Sequence, residues 1–332
     1  MLYAIAWRQV FVDKSAKAMQ QRIVGRLAPS PTGAQHVGNA RTYMIAWLSA
    51  RSQNGQIVLR IEDIDSPRVK LGAVEQIYED LRWLGLDWDG EVLVQTRRLF
   101  AYEAALNKLK EQNLVYPCTC TRSDIERAAS APHGEHEGPT YPGTCTFRTI
   151  QEAESLTIPY AWRFRTEGRH CEFSDRFHGK VALNLADIGG DFVVWKSAGT
   201  PAYQLAVVVD DAAQGVTEIV RGDDLIPSTP RQLLLYEALT WSPPSFVHVP
   251  LVVGPDGRRL AKRHGDTRLC ALRDRGVRAE ALLGLLAHSC GWLDRPEPVR
   301  LRDLLPVFQL DTIPKHPFVL TAAALEAIGY NV

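Results

Sequence analysis

Residues 28–42, APSPTGAQHVGNART, decide how this chain is read. They follow the apolar run Ile23 to Leu27 and precede a helical pattern from Ala40 to Ala50, so the order is strand, tight loop, helix. Glycine at such a junction lets backbone approach a ligand. The new helix turns its unpaired N–H groups and the positive end of its dipole toward whatever binds there. An anion fits this place. The loop also carries His36 and Asn39, but a histidine before a helix is equally at home as a hydrogen-bonded structural residue, and HxGN alone does not choose.

A second segment, RRLAKRHG at 258–265, puts Arg259, Lys262 and Arg263 after the apolar run Val249 to Val253 and the turn GPDG. Most basic loops are simply solvated. The two segments together, however, resemble the paired ATP signatures of class I aminoacyl-tRNA synthetases, His36 to Asn39 the first and Arg259 to Arg263 the lysine-bearing second. GRLAPSPTG (25–33), RIEDID (60–65), PAYQLAVVVDD (201–211) and RGDDLIPSTPRQ (221–232) narrow the resemblance to the glutamyl branch, over about residues 22 to 270. It implies an α/β fold, a doubly wound parallel sheet with ATP at the carboxyl ends of its strands. It also implies that His36, Gly38, Asn39 and Lys262 bind ATP, that His36 and Lys262 stabilise the transferring phosphoryl group, and that Mg²⁺ accompanies the triphosphate.

Composition is compatible with this. The 332 residues are 45% hydrophobic and 23% charged, with 38 basic and 38 acidic side chains and a formal net charge of +0. That is ordinary for a globular chain, and any nucleic-acid contact must come from a local patch. Arg258, Arg259, Lys262, Arg263, Arg268, Arg273, Arg275 and Arg278, facing only Asp266 and Asp274 in sequence, offer a patch suited to phosphate. No apolar run approaches the roughly 18 residues of a membrane span. MLYAIAWRQV has neither a basic leader nor a cleavage site, so no membrane and a cytoplasmic location are expected. The matched pattern starts near Arg22, so residues 1–21 read as an extension, with Met19 a candidate natural start.

Of six cysteines, Cys118 and Cys120 in YPCTC and Cys145 in YPGTC cluster around a polar connector containing His133 and His136. This reads as a zinc site, or as three buried thiols without metal, the CxC spacing being shorter than the usual CxxC. Here the chain resembles the short glutamyl-type synthetase-like proteins that glutamylate queuosine in tRNA(Asp), whose zinc pattern is Cys-x-Cys, Tyr, Cys. The resemblance implies one structural Zn²⁺ held by Cys118, Cys120, Tyr141 and Cys145, with His136 the competing fourth ligand.

Glutamate needs an anion for its ammonium and cations for its carboxylates. Glu62 follows the strand-like run Ile57 to Ile61, and Arg26 and Arg221 are guanidinium groups suited to a carboxylate. Local ion pairing explains Glu62 and Arg221 as well, since Asp63, Asp65, Asp223 and Asp224 are near in sequence. Resemblance to the glutamyl pattern assigns the amino-acid site to Arg26, Leu27, Ala28, Pro29, Ser30, Glu62, Tyr203 and Arg221.

The expected organisation is an extension (1–21), a first half of the nucleotide-binding fold (22–112), an inserted zinc-bearing module (113–190), a second half with the lysine loop (191–265) and a short helical part (266–332). Helices are expected at Ala40 to Ala50, Gly72 to Leu84, Thr96 to Gln112 and Ser228 to Thr240, and AYQLAVVVDD is expected as a buried strand. By the same resemblance, a full glutamyl-tRNA synthetase continues beyond the lysine loop into an anticodon-reading domain, and with only about 65 residues after that loop such a domain is expected to be missing here. The resemblance therefore implies queuosine-containing tRNA(Asp) as acceptor, with ATP and L-glutamate as substrates and a monomer as the expected state. A truncated synthetase for tRNA(Glu) and a noncatalytic zinc- or RNA-binding module are the alternatives.

Overall fold

A computed structural model describes residues 22–64, 68–128, 140–260 and 266–330. The extension 1–21, Asp65, the connector histidines His133 and His136, and Lys262 with Arg263 lie outside the described residues.

The chain opens with β1 (Val24–Leu27), α1 (Val37–Arg51), β2 (Gln56–Ile61), α2 (Ala73–Trp83) and β3 (Leu93–Val94). The three strands run parallel in the order β1-β2-β3, with Leu27 opposite Leu59 and Ile61 opposite Val94. The short α1–β2 link demands Gly55, because a Cβ there would stand 2.6 Å from the carbonyl oxygen of Ile23. α1 is enclosed on most sides, from Val37 through Met44 to Ala50. Arg41, 1% exposed, crosses from it to Pro250 O and Ser289 and ties the first half to the last.

Next come α3 (Leu99–Glu111), β4 (Val115–Cys118), α4 (Arg122–Ala128), β5 (Ala161–Phe164), β6 (His170–Asp175), β7 (Gly179–Asn184) and β8 (Phe192–Trp195). β4, β5 and β8 form an antiparallel sheet that runs past residue 190 to Trp195. The rest comprises α5 (Tyr203–Ala213), β9 (Glu218–Gly222), α6 (Ser228–Ala238), β10 (Ser245–Val249), β11 (Val252–Val253), α7 (Leu269–Asp274), α8 (Ala279–Ser289), β12 (Phe318–Val319) and α9 (Ala322–Ala327). β9 and β10 are parallel, and Thr217 N–H donates to Val24 O at 2.9 Å, setting this half beside β1.

Two expectations are corrected. The core sheet is mixed: β6 docks parallel to β10, and because a short turn returns the chain, β7 lies antiparallel on β6. AYQLAVVVDD is not a strand but helix α5, buried continuously from Leu205 to Asp211. A helix enclosed on all sides shows no 3.6-residue stripe, so a short apolar run cannot announce its period. Fully buried Leu205 and Val208 each contribute about 2 kcal/mol through the area they remove from water. Aspartate at 208 would place an unpaired charge there and break the packing.

Candidate functional site

His36 caps α1. Its Nδ1 accepts from Gly38 N at 3.1 Å and Asn39 N at 3.4 Å, while the Asn39 side chain accepts from His36 N at 3.1 Å, a reciprocal capping box. The hydrogen-bonded structural role is therefore real. It also sets the chemistry, because a ring whose Nδ1 accepts carries its proton on Nε2 when neutral, and burial keeps the pKa below the ordinary 6.5. Nε2–H is then a donor at the mouth of a helix N-terminus. A Cβ on Gly38 would meet His36 Cε1 at 3.0 Å, so this glycine keeps the ring seated.

The residues chosen for glutamate come together. The loop after β1 is tied to β2 by Glu62 N–H donating to Pro29 O at 3.0 Å, and Gln35 reaches Ser30 O at 3.3 Å. Buried Arg26 stands 3.3 Å from Asp211, which also accepts from Arg60 at 2.7 Å. Glu62 pairs with Arg60 at 3.0 Å, so local pairing accounts for it in part. Arg221 behaves otherwise. It is 3% exposed and donates to His248 Nε2, Gln232 Oε1, Thr229 Oγ1 and Leu225 O, with no carboxylate within ion-pair distance among the described residues. Asp63 is taken up by Thr96 and Asp224 by Arg259. Burial, followed by the nearby charge of Arg26, lowers the pKa of Arg221. Tyr203 heads α5, 40% exposed, within reach of the charges of Arg221, Glu62, Arg26 and Asp211.

The cysteine pattern also closes. The sulfurs of Cys118, Cys120 and Cys145 lie within 4.8 Å of one another, Cys120 and Cys145 at 3.7 Å. Tyr141 Oη lies 3.5 Å from Cys118 Sγ and accepts from Cys145 N at 2.8 Å. Arg163 donates to Cys118 Sγ at 3.3 Å and lies 4.0 Å over the Tyr141 ring, a cation against the donors. Burial and the adjacent Cys118 push the Cys120 thiol up to about 11. At Cys145 burial acts upward but is outweighed by hydrogen bonds from Thr119 N, Tyr141 and Cys120, leaving it at about 7. This group can hold a metal ion.

The sequence model for the family described as "tRNA synthetases class I (E and Q), catalytic domain" matches residues 22–297. A Glutamyl-Q tRNA(Asp) synthetase of Rhodopirellula baltica is 55% identical over 284 residues, 82% of this chain and 86% of the relative. The chain belongs to the class I glutamyl-Q tRNA(Asp) synthetase family. Another member, from Symbiobacterium thermophilum, is 46% identical over 92% of this chain and 98% of its own length. Among solved structures, a glutamate tRNA ligase from Elizabethkingia meningosepticum in complex with its amino acid superposes with a TM-score of 0.78 at 26% identity. That match covers 92% of this chain and 68% of the ligase.

Within this synthetase fold the basic stretch after β11 is less free than its sequence suggests. Arg259 pairs with Asp224, Arg268 with Asp266, and Arg273 with Glu79 and Asp80 at 2.9 and 3.0 Å, leaving less charge for an RNA backbone. Sequence reading missed Arg60, Asp211, His248 and Asp175, which hold the chosen residues in place. Their signal was thin: an acidic pair closing an apolar run, and one histidine inside the strand FVHV. The synthetase fold contains no helix long and apolar enough to cross a membrane among the described residues.

Proposed function

We propose that this chain activates L-glutamate with ATP and transfers the glutamyl group to queuosine at the wobble position of tRNA(Asp). The observation that carries the reading is Arg221, a buried cation without a carboxylate partner among the described residues, grouped with Arg26, Glu62 and Tyr203. A buried positive charge is costly without an anion, and glutamate's side-chain carboxylate supplies one. Glu62 takes the ammonium, and Leu27, Ala28, Pro29 and Ser30 form the backbone wall beside it. The family fixes the branch of chemistry, and the names of the relatives favour queuosine over a tRNA 3′ end.

The core is read as doubly wound, with ATP outside the carboxyl ends of β1 and β9. A carboxylate oxygen of glutamate attacks the α-phosphorus, the bond to the bridging oxygen of the β-phosphate breaks, and pyrophosphate leaves. His36 Nε2–H and Lys262 stabilise charge growing on the phosphoryl oxygens, and the N–H groups of Gly38 and Asn39 hold the His36 ring in place. Mg²⁺ bound with the triphosphate supplies further charge neutralisation. A queuosine hydroxyl then attacks the acyl carbon, AMP leaves, and the hydroxyl proton passes to the departing phosphate or solvent. No protein nucleophile is required.

The cysteine group is read as a structural zinc site. A tetrahedral ion with bonds of about 2.3 Å to sulfur and 2.0 Å to oxygen separates its sulfurs by about 3.8 Å and sulfur from oxygen by about 3.5 Å. The spacings of 3.7 Å for Cys120–Cys145 and 3.5 Å for Cys118–Tyr141 fit those values. Four protein ligands leave no open position, so the ion would brace the module between β4 and β8. The test of activation is ATP–pyrophosphate exchange without RNA. Exchange that depends on L-glutamate, ignores glutamine and falls at least a hundredfold in Lys262→Ala supports the reading; glutamate-independent or unaltered exchange refutes it.

A further inference from the structure

We propose that His248, held by Asp175, is a positioning residue that aims Arg221 at glutamate. The inference rests on the reading of Arg221 as partner of the substrate's side-chain carboxylate. His248 lies opposite Arg221 in the β10–β9 pairing and is 0% exposed. Its Nδ1 stands 2.7 Å from Asp175 Oδ2. A carboxylate only accepts, so Nδ1 carries the proton and Nε2 turns its lone pair to Arg221 Nε at 3.0 Å.

The geometry leaves the guanidinium little freedom. Nε is fixed by His248, Nη1 donates to Gln232 Oε1 at 2.9 Å, and Nη2 donates to Thr229 Oγ1 at 2.8 Å and Leu225 O at 3.3 Å. These bonds use four of the five guanidinium hydrogens, and the fifth, on Nη1, meets no acceptor among the described residues and can serve a ligand. The opposite imidazole tautomer, or the imidazolium, would set N–H against N–H at Nε and push Arg221 out of line. Asp175 prevents this and is itself immobilised. Its Oδ1 accepts from Phe177 N at 2.9 Å and His178 N at 2.8 Å, and its Oδ2 from His248 N at 3.1 Å. The Phe246 ring stacks on the imidazole at an interplanar angle of 8°, and Phe173 meets it edgewise.

Asp175 ends β6, the strand by which the hairpin from the cysteine-bearing segment docks on β10. The amino-acid pocket is thus oriented from that segment through three side chains in line. A buried Asp–His pair that served stability alone would affect ATP and glutamate equally.

The test is ATP–pyrophosphate exchange by the full chain against varied L-glutamate, comparing wild type with His248→Phe and His248→Gln. Phenylalanine keeps a ring but removes the acceptor, and glutamine places an amide oxygen where Nε2 sits. KM for glutamate should rise tenfold or more in H248F, with KM for ATP within twofold, and H248Q should recover most of the loss. A folded H248F with unchanged glutamate KM, or one in which both KM values rise together, overturns the proposal. If H248F does not fold, Asp175→Asn decides: a selective rise in glutamate KM supports the proposal and an unchanged value overturns it. A wild-type chain without glutamate-dependent exchange overturns the underlying reading, and the inference with it.

Discussion

Asp211 braces two arginines from the neighbouring strands β1 and β2: its carboxylate lies 3.3 Å from Arg26 and 2.7 Å from Arg60, and it is fully buried. Losing one partner from such a cluster leaves charge stranded in a medium that solvates it poorly. Asp211→Ala should therefore cost on the order of 3–5 kcal/mol, read as a lower urea midpoint. A shift below about 1 kcal/mol would show that water or another group already serves Arg26 and Arg60.

His36 has two duties that substitution can separate. Asparagine is a good helix N-cap, so His36→Asn should hold the thermal midpoint while exchange drops by about a hundredfold, the usual effect of losing one donor to a developing oxyanion. His36→Ala should lose about 1 kcal/mol of stability as well. Gly38→Ala should resemble the activity loss, because its methyl group strikes the His36 ring. Full exchange in H36N would leave His36 only its capping role.

Acid should weaken the protein in a defined window. Burial lowers the pKa of His248 below 6.5, Asp175 opposing and Arg221 and His178 reinforcing the shift, and burial lowers His36 likewise. A histidine less basic when folded binds fewer protons than the unfolded chain, so stability is complete above about pH 6.5 and falls as pH drops through it. Asp175, lowered below 3.8 despite burial, mainly by its bond to His248, acts in the same direction: its contribution is present above its unfolded pKa and is lost only as pH falls through the lower folded value. The urea midpoint should decrease from pH 7 to pH 5, less steeply in His248→Gln. A midpoint flat over that range would mean that neither imidazole is held neutral.

Metal analysis of the purified chain should give one zinc per molecule. Cys145→Ala and Cys118→Ala should abolish it, and Tyr141→Phe should weaken it enough for a chelator to compete. Zinc that survives Tyr141→Phe but is lost in His136→Ala would transfer the fourth position to His136.

Much of the site was legible because its logic is local. His36, Gly38 and Asn39 cap a helix within three residues of one another, and a loop between an apolar run and that helix can be read from order alone. Cys118, Cys120 and Cys145 stand out by their clustering and Tyr141 by resemblance alone, and the fold brings the three sulfurs together with the Tyr141 hydroxyl beside Cys118. What stayed hidden depends on distance along the chain or on uniform burial. Arg60 meets Asp211 across 151 residues and Asp175 meets His248 across 73, and neither pair leaves a local pattern. Helix α5 hides its period because it is buried continuously from Leu205 to Asp211, so no exposed polar stripe marks one face. The arginines after β11 looked free because their acidic partners, Asp224, Glu79 and Asp80, come from other elements.

The acceptor is decided by transfer of labelled glutamate. The chain, ATP and radiolabelled L-glutamate are incubated with tRNA(Asp) containing queuosine, tRNA(Asp) lacking it, and tRNA(Glu). Label is expected only on the queuosine-containing tRNA(Asp), and undiminished when the 3′-terminal adenosine has been removed so that no terminal ribose can accept it. Label on tRNA(Glu), or equal label on tRNA(Asp) with and without queuosine, would contradict it.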